Sequence, residues 1–126
     1  VCMYLIPDLA FTPLPVMLLA VPLALIHGFF EEIFWRGLYI SFYPDDPVMG
    51  LVYPALFFAL WHIAPQLAIP AGSPLVFILS TIPLGFTYGL TAYVTKSAKW
   101  SVIAHGVSGV LAFGGNLAWS LYAVWH

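Results

Sequence analysis

Long apolar runs alternate with short polar breaks along the whole chain. No Asp, Glu, Lys or Arg occurs from Leu9 to Phe30. The first break, Tyr43-Pro44-Asp45-Asp46-Pro47, is a turn by its proline and aspartate content. Charge is then absent from Pro47 until Lys96, a stretch too long for one crossing of a bilayer core that takes about 20 helical residues. Pro65-Gln66 through Pro70-Ala71-Gly72-Ser73-Pro74 divides it, because proline and glycine end helices. Lys96-Ser97-Ala98-Lys99 is the next break, and Trp100 to His126 is the last apolar run. The pattern predicts an all-α, polytopic transmembrane bundle of four helices, roughly 9–42, 48–68, 74–95 and 100–125. The first is longer than one span, over about 45 Å at about 1.5 Å per residue. Pro13, Pro15 and Pro22 are expected to delay or kink its start, leaving part of it interfacial or tilted.

Composition removes the soluble alternatives. The chain is 63% hydrophobic and 6% charged, too few charges to coat a soluble globule of 126 residues. Three Lys+Arg against five Asp+Glu leave no basic patch for nucleic acid. Cys2 is the only cysteine, which excludes an internal disulfide framework and a Cys-based zinc site. Residues 1–126 are read as a single membrane domain, and the Val start and apolar end as marks of a fragment. By the positive-inside rule Lys96 and Lys99 place their connection in the cytosol, and the Asp45-Asp46 turn falls on the same side.

Ionisable groups inside spans are costly and are candidates for function. They are His27, Glu31, Glu32, Arg36, His62 and His105. Counted from the cytosolic ends, Glu31, His62 and His105 lie at roughly 18, 21 and 13 Å, so a carboxylate and two imidazoles converge in depth. Glu32 and Arg36 have the i, i+4 spacing of an ion pair, which reduces the cost of holding both charges in an apolar setting. Glu31 points about 100° away, on a face with His27, Trp35 and Leu38. The two glutamates therefore have different expected roles: Glu32 is structural, and Glu31 is suited to general-base work. Phe58 lies one turn before His62 and can shield its ring. Ser101 and Ser108 flank His105 along its helix. His27 is expected to bond within its own helix, and His126 to have no role. Gly85 and Gly89, after Pro83, predict close helix packing, inside the bundle or at the seam of a homodimer.

Glu31-Glu32-x-x-x-Arg36, Phe58-x-x-x-His62 and Trp100-Ser101-Val102-Ile103-Ala104-His105, in that order, resemble the motifs of the CaaX protease and bacteriocin-processing (CPBP, or Abi) family of intramembrane endopeptidases. The resemblance covers roughly Leu25 to Gly109. It implies that Glu31 and His62 activate a water for attack on a peptide carbonyl, and that His105 helps stabilise the oxyanion. Glu32, Arg36, Phe58 and Ser108 would be supporting residues. Glu31, His62 and His105 would also be the ligands of a divalent metal such as zinc, if one is used. No His-Glu-x-x-His motif demands it. The implied partners are a peptide or protein substrate, lipid-modified or membrane-associated, and the membrane lipids. The implied localisation is multi-pass, with the cluster nearer the cytosolic face.

One position departs from the pattern. Family members commonly carry Asn, or another small polar residue, four positions after the third-motif histidine, where this chain has Gly109. Loss of an oxyanion donor costs about 3–4 kcal/mol in the transition state. Ser108 is the nearest substitute, because Asn116 lies about 16 Å along the helix from His105. Two further readings therefore stand beside the enzyme: a non-catalytic immunity or scaffold protein of the same fold, and a piece of a proton-coupled or ion-coupled transporter.

Overall fold

The computed structural model describes residues 13–68 and 73–112. Cys2, Pro70-Ala71-Gly72, Asn116 and His126 lie outside them. Every regular element among the described residues is helical. These are α1 (Leu14–Glu32), a π-helical turn (Ile33–Leu38), α2 (Tyr39–Phe42), a second π turn (Val48–Val52), α3 (Tyr53–Trp61), α4 (Ile63–Ala68), α5 (Pro74–Thr95) and α6 (Lys99–Ala112). They join into four helical stretches. Three of them, Leu14–Phe42, Val48–Ala68 and Pro74–Thr95, are long and apolar enough to cross a membrane. The fold is a helical bundle, and the second and third boundaries fall where the proline and charge breaks put them. The predicted fourth span is described only to Ala112.

Prolines and turn residues set the boundaries. The first helix opens at Leu14 between Pro13 and Pro15, and Val16 N–H and Met17 N–H bond the Pro13 carbonyl at 3.0 and 3.1 Å. Proline costs little in a first turn, where its missing N–H has no intrahelical partner to lose. The second stretch starts where Asp46 Oδ1 accepts the N–H of Val48 at 2.9 Å and of Met49 at 3.1 Å. A short acidic side chain thereby satisfies two orphan donors at a helix N-terminus. Its interior break falls at His62, not at the proline itself. Pro65 has no N–H for the carbonyl of Trp61, and the α-helix ends there with His62 N–H bonding Ala59 O at 3.2 Å. The helix then resumes through Pro65 to Ala68, beyond the start of the predicted break.

The chain divides into two compact units, one of its first and last parts and the other of Glu31–Val102. In the first, α1 and α6 approach through small residues. A Cβ on Gly28 would lie 3.2 Å from Gly106 N, and Gly109 faces Ala24 at ordinary contact distance. In the second, α3 and α5 pack closely. A Cβ on Gly85 would come within 2.8 Å of the Ala55 carbonyl, and one on Gly89 within 2.8 Å of Leu51 Cδ1. The Gly-x-x-x-Gly pair therefore serves packing inside this unit. Small residues let backbones meet where lipid offers no hydrophobic drive between helices. At one end of the unit Lys96 bonds the Pro44 carbonyl and lies 3.5 Å from Asp45. The 43–47 turn and the Lys96 turn thus share an end.

Candidate active site

The Glu31–Val102 unit is built around a buried charge. Arg36 Nη1 donates to Glu32 Oε1 at 2.9 Å, with both side chains at or below 1% exposure. Arg36 Nη2 donates to the Gly85 carbonyl at 3.0 Å, and the guanidinium lies 4.2 Å from the centre of the Phe58 ring. A carboxylate, a carbonyl and a ring face together offset the cost of burying the cation. The bond to Gly85 ties the first stretch to α5 at the point where that glycine lets α3 and α5 meet.

The π turn that starts at Ile33 makes this arrangement possible. Its wider winding advances each residue by less than 100°. Trp35 and Arg36, adjacent in sequence, are both buried in it. It also breaks the face expected for Glu31, because Trp35 is 9% exposed and Leu38 43%.

Phe58 carries this order to His62. The two rings are 4.5 Å apart at 62°, and Phe77 of α5 adds a second ring contact to His62 at 5.7 Å. His62 is buried, and its Nδ1 lies 2.7 Å from the Phe58 carbonyl. A carbonyl only accepts, so Nδ1 is the donor and a neutral ring carries its lone pair on Nε2. That tautomer suits either a water or a metal at Nε2, since ligating histidines generally donate their other N–H to an oxygen.

Glu31 stands outside the Arg36 pair. Its side chain is half-buried, and Oε1 accepts a hydrogen bond from Trp61 Nε1 at 3.0 Å. Trp61 is the residue before His62, so this bond brings the end of α3 to the level of Glu31. The depth count from the span ends pointed to this level. Nothing in the sequence pointed to Trp61, whose partner is 30 residues away.

His105 and Ser108 belong to the other unit. The His105 ring meets His27 edge-on, with centroids 6.3 Å apart at 84°. That aromatic contact was not expected of His27. The Ser108 hydroxyl donates to the His105 carbonyl at 3.1 Å, which uses the one proton it could offer an oxyanion. A Cβ at Gly109 would meet Ala24 Cβ at 3.6 Å, so packing does not require glycine there.

A family model described as type II CAAX prenyl endopeptidase Rce1-like matches residues 13–111. The chain belongs to the Rce1-like family. The match contains Glu31, Glu32, Arg36, Phe58, His62 and His105, and it bears out the resemblance drawn from those residues. No curated protein and no solved structure matches the chain. Rce1-like membership places the chain in a family of proteases. With three helices able to span a bilayer, it makes this a membrane protein.

Proposed function

We propose that the chain is an intramembrane endopeptidase that hydrolyses a peptide bond with a water activated by Glu31 and His62. The observation that supports this most is the bond between Trp61 and Glu31. It fixes a carboxylate inside an apolar span through the residue next to His62, whose ring is itself held by Phe58. The Glu31 carboxylate takes a proton from water as the water oxygen bonds to the peptide carbon. His62 orients that water through Nε2. The carbonyl oxygen gains the negative charge, and His105 stabilises it. The C–N bond then breaks as the proton held by Glu31 passes to the departing nitrogen. Glu32 and Arg36 hold the scaffold, and Phe58 holds the His62 ring.

If a divalent ion such as zinc takes part, Glu31, His62 and His105 would be its ligands in this reading, since carboxylate and imidazole are donor types such an ion takes. Such an ion would supply Lewis-acid polarisation of the carbonyl and of the water when bound.

The substrate is a peptide at or within the membrane. The family description favours a prenylated CAAX-type terminus, and a bacteriocin-type precursor is the alternative. By the positive-inside rule, the Lys96–Lys99 connection and the 43–47 turn that shares its end would face the cytosol in this reading, with the chain crossing several times.

Gly109, together with the engaged Ser108 hydroxyl, favours a second reading in which the fold is kept as a scaffold or immunity protein without chemistry. A comparison of new protein termini in membranes bearing wild type or Glu31→Gln, at equal expression, separates the two. Termini seen only with wild type are expected. Identical sets of termini would favour the scaffold.

A further inference from the structure

We propose that Trp61 is a positioning residue for the general base: its indole N–H fixes the Glu31 carboxylate and selects the oxygen that takes the proton. The proposal rests on the reading of Glu31 as the base. The indole nitrogen is donor-only, so the Glu31 oxygen it meets at 3.0 Å must be an acceptor in every protonation state. The bond to Oε1 disfavours a proton on that oxygen and favours one on Oε2, and it holds the plane of the carboxylate. A long, rotatable carboxylate gains more from such a tether than a short one, because rotamer freedom is lost before the reaction rather than during it.

The position of Trp61 is itself fixed. Pro65 leaves the Trp61 carbonyl without its helical donor, and the chain turns at His62. Trp61 is 52% exposed, so packing contributes little to its orientation, which the bond to Glu31 fixes. One local distortion therefore presents His62 and the tether of Glu31 from consecutive residues. Trp61 touches the base. Its effect is expected in turnover and not in binding.

The test uses the full chain in detergent micelles and an internally quenched peptide ending in a farnesylated CAAX sequence. Trp61→Phe is expected to lower kcat on the order of tenfold or more, with KM changed by less than about twofold. Incorporation of 3-benzothienylalanine at position 61 keeps the ring shape and replaces the N–H by sulfur. It should give the same loss, which separates the lost donor from lost packing. In protein labelled with 15N-tryptophan, the indole resonance that Trp61→Phe removes should move in Glu31→Gln, while the other indoles stay in place.

Wild-type kcat in the benzothienyl protein, or an unmoved Trp61 resonance in Glu31→Gln, overturns the proposal while leaving the base reading intact if Glu31→Gln is inactive. Full activity of Glu31→Gln overturns the base reading and the proposal with it; where wild type leaves the farnesylated peptide uncut, the CAAX substrate class is overturned and the Trp61 resonance in Glu31→Gln decides the tether.

Discussion

Glu31 and Glu32 are neighbours in sequence with opposite surroundings. Glu32 is fully buried, bound to Arg36, and part of a buried set with Phe58 and the Gly85 carbonyl. Glu31 is half-buried and meets the indole of the exposed Trp61, the residue before His62. The buried set joins the first stretch, α3 and α5, so its loss should be felt as stability. The Glu31 side contributes a few polar contacts, so its loss should be felt as chemistry. A membrane span can carry a charged residue for either reason. The partner, and not the residue type, distinguishes them.

The largest expected effect breaks the buried side. Arg36→Met leaves the Glu32 carboxylate buried without its counter-ion and should destabilise the protein by about 3–5 kcal/mol. Thermal unfolding in detergent would show it. Gly85→Ala should follow at about 1–3 kcal/mol, because the new Cβ meets the Ala55 backbone oxygen and neither helix can yield freely. Its unfolding midpoint should fall while a glycine-to-alanine change at Gly109 leaves the midpoint near wild type. Gly109→Asn sharpens the chemical side. The position has room for a Cβ, and the amide restores the donor common in the family, so kcat should rise by about tenfold or more. An unchanged rate would mean that the missing donor does not limit this chain. Asp45→Asn should do least. Its pairing with Lys96 is at an exposed turn, 94% exposed at Asp45, and such pairs contribute little. Its midpoint should match wild type.

Much of this contrast is legible in the sequence. Proline and charge mark the spans 48–68 and 74–95, because in an apolar chain those are the residues that end helices. The Glu32–Arg36 pair follows from i, i+4 geometry alone. Gly85 and Gly89 announce close packing, but not that Ala55 and Leu51 are what they meet. The π turns leave no such mark. The first of them holds the buried pair Trp35 and Arg36. The turn at His62 is caused by Pro65, but the distortion appears three residues before the proline that produces it. The Trp61 bond could not be read at all, since neither its spacing nor its residue type separates it from the other aromatic residues of the spans.

The central claim is that the two glutamates have separate jobs, and one paired measurement tests it. Glu31→Gln and Glu32→Gln are purified side by side, and each is assayed for cleavage of the farnesylated CAAX peptide and for thermal unfolding. The account predicts that Glu31→Gln loses cleavage by about 10² to 10⁴-fold at an unchanged midpoint. Glu32→Gln should lower the midpoint, with whatever folds retaining turnover. Cleavage retained in Glu31→Gln, or equal losses of stability in both variants, would contradict it.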